Sequence, residues 1–219
     1  MALDFVHLRF HSEYSIVDGI VRLDPAIAAA VSDGQVALGI TDSMNIFGGL
    51  RFYSHAIAAG IKPIIGCDLW VTNPDVNQSE SPRRLTIYCQ NHDGYLSLCS
   101  LLTRGWLENQ HAGRGEIRTE WLTLKSCQGL IALSGGPKGL VETKLMEKKF
   151  SKAQEEAAFL QSVFPGRFYL EVQRAGRKGD DVLVSRVANL AVKMAIPVVA
   201  THPVFFLKRE EFKAHEARV

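Results

Sequence analysis

The segment 5–12 alternates apolar and nitrogen-bearing side chains with the two-residue period of a β-strand. His7, Arg9 and His11 share one face of this predicted strand. In a closed β/α barrel the inward faces of the strands end at the mouth of the active site, where polar side chains serve function. We therefore expect Arg9 and His11 near such a mouth, and His7 deeper, as a hydrogen-bonded core residue.

Residues able to do chemistry also collect where other predicted strands end. Asp18 lies in the loop after the first strand and can fold back over it. The remaining polar positions at strand ends are Asp42, Ser43, Asp68, Glu171, Thr201 and His202. Because α/β proteins place their reactive groups at the carboxyl ends of strands, the sequence predicts one common site there.

Composition and missing motifs exclude several classes of protein. A net charge of +2 argues against a surface dedicated to nucleic acid, and no apolar run is long enough to span a bilayer. The nucleotide-binding patterns GxGxxG and GxxxxGK[ST] and the hydrolase pattern GxSxG are absent from the sequence. The four cysteines form no CxxC pair, which is typical of reduced thiols. We expect a cytoplasmic protein with no membrane partner.

Strand-like and helix-like segments alternate along the chain. The predicted strands are 5–12, 36–41, 62–71, 83–90, 129–134, 167–173 and 197–201. Their near-continuous apolar character predicts a parallel sheet covered by helices, either open or closed into a barrel. A polar loop is predicted over 72–82, and residues 1–219 are expected to form a single domain. The last helix reaches Val219 without a cap, which indicates a fragment of a longer polypeptide.

An ordered set of motifs spans the chain, with HLRFHSEYS at 7–15, ITD at 40–42, GIKPIIGCD at 60–68 and LSG at 133–135. Together they resemble the polymerase-and-histidinol-phosphatase (PHP) domain family. The resemblance is closest to the PHP domain at the N-terminus of the alpha subunit of bacterial replicative DNA polymerases. It implies an α/β fold of one kind, a distorted seven-stranded β/α barrel that resembles a TIM barrel. Active members of the family bind up to three metal ions at the strand ends and cleave phosphoesters or pyrophosphate.

Most positions that match the family's metal ligands carry other side chains here. The matching positions are Arg9, His11, Asp18, Ser43, Asp68, Arg84, Gly136, Ala175, Pro203 and Phe205. Of these, His11, Asp18 and Asp68 keep a side chain that can ligate metal and are the residual metal candidates. The resemblance therefore implies vestigial metal-site positions and no catalytic residue in this chain.

Two of the replacements, Arg9 and Arg84, carry a positive charge, which disfavours a metal ion at the site. Arg9 lies on the same face as His11, roughly 6–7 Å away in a strand. A permanently charged guanidinium there repels a divalent cation, and Arg84 adds a second one. Three ligands are able to bind one ion, but a cluster needs many more donors. We expect no metal, with the arginines pairing with Asp68 or Asp18 instead.

The resemblance implies a function as part of a DNA-directed DNA polymerase. The parent enzyme would extend a primed DNA template, using Mg²⁺ in a palm domain that this chain lacks. This chain would act as a scaffold for the remainder of the polymerase chain and as a docking surface for the proofreading exonuclease subunit. The alternative is an active metal-dependent phosphoesterase or pyrophosphatase, against which the missing ligands speak. A stand-alone barrel enzyme of unrelated chemistry is disfavoured by the uncapped end.

Overall fold

The computed structural model describes residues 5–72 and 81–219. The chain forms two compact units, one of Met1–Cys67 with Thr201–Val219 (unit 1) and one of Asp68–Ala200 (unit 2). Most of the polar loop predicted over 72–82 lies outside the described residues. Among the described residues, no helix combines the length and the apolar character needed to cross a bilayer.

Helices and strands alternate along most of the chain, as the sequence predicts. The helices are α1 (Leu23–Ser32), α2 (Gly49–Ala58), α3 (His92–Glu108), α4 (Leu140–Met146), α5 (Phe150–Val163), α6 (Asp180–Met194) and α7 (Phe212–Arg218). The strands are β1 (Ala37–Ile40), β2 (Lys62–Thr72), β3 (Arg83–Cys89), β4 (Gln110–His111), β5 (Arg114–Gly115), β6 (Ile117–Arg118), β7 (Leu130–Leu133), β8 (Phe168–Val172) and β9 (Val198–Ala200). Short 3-10 turns cover Thr119–Trp121, Gly136–Lys138 and Arg209–Glu211.

In unit 1, β1 pairs in parallel with the first half of β2, with Ile40 opposite Ile65. The segment 7–12 lies beside β1, because the amide of Thr41 donates to the carbonyl of Phe10 at 3.0 Å. On its other side the segment forms isolated bridges, one of them between Phe10 and Val204. The prediction of a continuous first strand is wrong. Its neighbour is itself irregular, and Pro203 in that neighbour has no N–H to continue a ladder.

His7 is not the hydrogen-bonded core residue that we expected. It is half-buried between the exposed Phe5 and His202, with ring centroids 4.9 and 6.4 Å away. Within the described residues its Nδ1 atom makes no hydrogen bond. Burial, followed by the charge of His202, lowers the pKa of His7. The core of unit 1 begins further along the segment, where Phe10 packs edge-on against Phe52 of α2.

In unit 2 the sheet is mixed rather than parallel. β3 runs antiparallel to β7, with Thr86 opposite Leu133, whereas β7 pairs in parallel with β8 and β8 in parallel with β9. The prediction of an all-parallel sheet is wrong for β3, because an apolar run reports burial on both faces and carries no information about direction. As a result, the start of β3, at Arg84, lies at the same edge as the carboxyl end of β7.

The helices of unit 2 begin and pack for identifiable reasons. α3 starts after Asn91, whose side chain accepts a hydrogen bond from the amide of Gly94 at 2.9 Å and so satisfies one of the donors left over at a helix start. α4 packs against α5 and α6, and α6 packs against β8. Buried Leu85, Leu130 and Leu170 of three neighbouring strands contribute to the core beneath these helices.

Candidate functional site

His11 and Asp18, two of the residual ligand candidates, lie together in unit 1. The chain turns back between them, because the amide of Gly19 donates to the carbonyl of Ser15 at 2.8 Å. A side chain at Gly19 is excluded, since its Cβ would stand 1.9 Å from the carbonyl oxygen of Ser12. The turn places the Asp18 carboxylate 2.8 Å from Nδ1 of His11. The prediction that Asp18 folds back over the first segment is confirmed.

Ser15, to which the sequence analysis gave no role, stands at the centre of this pair. Its hydroxyl donates to the Asp18 carboxylate at 2.7 Å and accepts the amide of Ser43 at 3.0 Å. The arrangement is not a nucleophilic triad, because serine and aspartate would then bind opposite nitrogens of the ring, and here both lie at Nδ1 of His11. Ser43, at a position where the family has a ligand, takes part through its backbone. The spacing of Ser15, three residues before Asp18, is the signal that identifies it.

Asp42 is buried, and both of its carboxylate oxygens accept hydrogen bonds from Ser12. The amide and the hydroxyl of Ser12 donate to its two carboxylate oxygens at 2.6 and 2.7 Å. Burial raises the pKa of Asp42 to about 6, and the two hydrogen bonds from Ser12 oppose that rise. This carboxylate therefore orders the backbone at the start of the loop 12–19.

Phe205, at a position that the sequence analysis matched to a family ligand, carries an aromatic ring. Its ring meets the ring of His11 edge-on, with centroids 4.8 Å apart. Pro203, the other matching position in this segment, also has a side chain without donor atoms. Neither residue can ligate a metal, so the segment 203–205 contributes packing to His11 instead of coordination.

In unit 2, Asp68 is held by protein groups on two sides. The guanidinium of Arg84 lies 3.3 Å from one carboxylate oxygen, and the hydroxyl of Thr86 donates to the other at 2.6 Å. Asp68 and Arg84 are both buried, with 1% and 8% of their side chains exposed. The expectation that Asp68 lies at the carboxyl end of its strand is wrong, because Asp68 lies inside β2. It nevertheless meets Arg84, which lies near the start of β3.

Gly136 and Ala175, two further matching positions, have no side-chain atom that could bind a metal ion. A Cβ on Gly136 would lie 3.1 Å from the amide group of Gln173, so that side chain occupies the space. The amide of Ala175 donates to the Asp180 carboxylate at 2.8 Å, which orders the loop before α6. Arg9 is buried, with 1% of its surface exposed. Its pairing with Asp68 or Asp18 stays a prediction.

A buried acidic network in unit 2 joins Glu171, which the sequence analysis placed at a strand end, to Glu142, to which it gave no role. Glu142 of α4 hydrogen-bonds to the hydroxyl of Ser134, which also accepts the amide of Glu171 at 2.8 Å. The Glu171 carboxylate accepts the side-chain amide of Gln173 at 2.9 Å. Burial raises the pKa of Glu142 to about 8. Glu142 lies three residues before the buried Leu145, on the same face of α4, and this spacing was the available signal.

The side chains present do not fit the metal cluster that the fold family implies. Over residues 5–72 and 81–219, no three His, Cys, Asp or Glu side chains are grouped so as to hold a metal ion. The candidate ligands already have protein partners, namely Arg84 and Thr86 for Asp68, and Ser15 and His11 for Asp18. A guanidinium at hydrogen-bonding range of a carboxylate neutralises the charge that a cation would otherwise meet.

The fold and the matching positions define the class of the protein. The family model of the PHP domain matches residues 7–175, and the chain belongs to this family. The solved structures that share the fold include a proposed metal-dependent phosphoesterase from Bifidobacterium adolescentis, with a TM-score of 0.59, 10% identity and coverage of 97% of this chain and 95% of that one. An amidohydrolase from Chromobacterium violaceum matches with a TM-score of 0.55, 13% identity and coverage of 97% and 96%. The predicted α/β fold of the PHP type is confirmed.

The relatives in sequence include alpha subunits of DNA polymerase III. The chain is 40% identical over 219 residues to the DNA polymerase III subunit alpha of Pseudomonas fluorescens, and 38% identical over 215 residues to that of Escherichia coli K12. The two matches include 100% and 98% of this chain, and the chain spans 18% of the length of each relative. The predicted resemblance to the PHP domain of replicative polymerases is therefore confirmed.

Proposed function

We propose that this chain is the PHP domain of a replicative DNA polymerase alpha subunit, in which the metal site has become structural. The observation that carries the proposal is the state of Asp68. A buried carboxylate that the family would give to metal is held by Arg84 at 3.3 Å and by Thr86 at 2.6 Å. Burying a carboxylate without a counter-charge costs several kcal/mol, and a guanidinium supplies that charge permanently.

The same exchange of metal for protein contacts occurs in unit 1. His11 and Asp18 bind each other, Ser15 donates to Asp18, and Phe205 packs against the histidine ring. A histidine and a carboxylate that bind each other are ordered without a metal ion. The site therefore serves the stability of the domain, and the domain serves as a scaffold for the rest of the polymerase chain.

The whole-protein activity and partners follow from the relatives by proposal. The parent would be a DNA-directed DNA polymerase of the cytoplasm that acts on a primed template, with Mg²⁺ bound in its palm domain. The PHP domain would in addition carry the docking surface for the proofreading exonuclease subunit. Both statements extend to this chain what the similarity to DNA polymerase III subunit alpha supports.

The test is an assay of the phosphatase chemistry that active family members perform. We expect no release of phosphate from nitrophenyl phosphate or pyrophosphate when Mn²⁺ or Zn²⁺ is added, because most ligand positions have no donor. Metal content after dialysis should be near zero. Turnover that requires the added metal and disappears in Asp68→Ala, but not in the exposed control Glu155→Gln, would establish the alternative function, a working phosphoesterase.

A binding experiment tests the scaffold part separately. The isolated chain, mixed with the proofreading subunit of a DNA polymerase III, should elute with it in gel filtration. Co-elution that persists in Asp68→Asn would show that docking does not need the site. Separate elution of the two proteins would contradict the docking role.

A further inference from the structure

Helix α7 is attached to unit 1 by few side chains. Every residue of α7 is at least partly exposed. The ring of His215 stacks on the ring of Phe205, with centroids 5.4 Å apart and planes inclined by 15°, and lies 5.6 Å from the ring of Phe206. Phe212 meets Phe206 edge-on at 5.9 Å. An element held by a few surface contacts has a low free energy of local opening, so each contact matters.

Phe205 connects this helix to the candidate site. Its ring contacts His215 on α7 and also His11, at 4.8 Å, and His11 in turn binds Asp18 at 2.8 Å. The contacts thus run without interruption from Asp18 through two rings to the helix. Aromatic pairs of this geometry contribute beyond the area they bury.

A second contact joins α7 to the segment that carries Asp18. Nε and Nη2 of Arg218, at the end of α7, donate to the carbonyl of Ile16 at 3.1 and 2.7 Å. Ile16 lies in the segment 12–19 that carries Asp18, which we call the site loop. The helix therefore touches the site loop directly through Arg218 and indirectly through Phe205.

We propose that α7 and the site loop form one conformational unit, which we call the latch. Two sets of contacts hold the helix to the loop, those of Phe205 and those of Arg218. Phe205 stands where the family has a metal ligand, so packing of a ring on His11 orders the loop that ligation would otherwise order. When either set of contacts is lost, the helix and the loop both open more often. The proposal rests on the proposed function in one respect, that no metal ion holds Asp18 in place.

Hydrogen exchange in the intact protein tests the latch, because both partners have reporter amides. The amide of Val219 donates to the carbonyl of His215, and the amides of Asp18 and Gly19 donate to the carbonyl of Ser15. Phe205→Leu keeps an apolar side chain but loses the ring. We expect exchange on the order of tenfold faster at all three amides, which is the loss of one good aromatic contact.

His215→Phe is the matched control for the stacked ring. Within the described residues, Nδ1 of His215 is buried and makes no hydrogen bond, so phenylalanine keeps the stack and loses no partner there. This variant should exchange at the wild-type rate, whereas His215→Ala should behave like Phe205→Leu. Faster exchange in His215→Phe equal to that in His215→Ala would overturn the role of stacking.

Arg218→Met removes the second set of contacts, the hydrogen bonds from Arg218 to the carbonyl of Ile16. It should speed exchange at Asp18 and Gly19 although it changes only the helix. If Arg218→Met or Phe205→Leu affects Val219 alone and leaves the loop amides protected, the latch is refuted. The amide of the core residue Ile61, which donates to the carbonyl of Ala56, reports unfolding of unit 1 as a whole. Failure of the proposed function would appear as phosphatase turnover, a separate readout.

Discussion

The carboxyl group of Glu142 should make unit 2 less stable as the pH rises. Glu142 is wholly buried in α4. Its Oε2 atom and the carbonyl oxygens of Ser134 and Gly136 all lie within 2.9 Å of the point where a Cβ on Gly139 would stand. A protonated acid can direct its O–H toward these carbonyls, whereas an ionised one adds a third negative oxygen. Burial is the main cause that raises its pKa to about 8, and the neighbouring Glu171 adds to it.

The size and the sign of the effect follow from that pKa. Between the ordinary value of 4.5 and the folded value of about 8, the folded protein keeps a proton that the unfolded chain has released. The free energy of unfolding therefore falls with rising pH by about 1.4 kcal/mol per unit across this window. At pH 7 the loss from Glu142 amounts to roughly 3 kcal/mol relative to pH 4.5.

Glu142→Gln should remove this loss, because the amide group can donate to the same carbonyls at every pH. Urea unfolding at pH 5, 7 and 8, monitored by tryptophan fluorescence, measures the free energy of unfolding of the variant and of the wild type. All three tryptophans, Trp70, Trp106 and Trp121, belong to unit 2, so the signal reports the unit that contains Glu142. The variant should gain roughly 3 kcal/mol over the wild type at pH 7 and much less at pH 5.

Glu155→Gln, an exposed change on α5, is the control and should leave the pH dependence as it is in the wild type. Equal slopes against pH in Glu142→Gln and in the wild type would refute the reasoning. So would a variant that is less stable at every pH, since that would mean that Ser134 needs the charged carboxylate.

Two further predictions concern the buried pair and a helix end. Arg84→Met should destabilise the protein by about 3–5 kcal/mol, because it leaves a buried charge on Asp68, and Asp68→Asn in the same protein should recover much of this. A coupling energy near zero in the double-mutant cycle of unfolding free energies would contradict it. Ala195→Gly should raise the free energy of unfolding by about 0.5–1 kcal/mol, since the exposed Ala195 ends α6 with φ at 52°, a conformation that favours glycine. A variant no more stable than the wild type in urea unfolding would show that Ala195 is not strained.

The sequence predicted the elements that obey local rules. The bounds of β2 and β3 differ from the predicted ones by one residue, because apolar periodicity and turn residues act over short distances. The approach of Asp18 to His11 was also predictable, since seven residues and a turn separate them. These features depend on chain that is near in sequence.

Features set by distant partners were not predictable from the pattern. The antiparallel direction of β3 depends on where β7 lies, 40 residues further along. The environment of Glu142 depends on Ser134 and on Glu171 of β8, and the sequence gives no indication that its carboxyl group lies near them. The interrupted first segment depends on Pro203, nearly 200 residues away.

The bonds between the site loop and the end of β1 have a kinetic consequence. Ser12 holds Asp42, and Ser15 holds the amide of Ser43, across separations of 30 and 28 residues. Closing a flexible loop of that length costs about 3 kcal/mol of chain entropy before any contact repays it. Helix α1 lies inside the loop and shortens the flexible part once it forms. This cost favours formation of the local helix before the serine–aspartate closure.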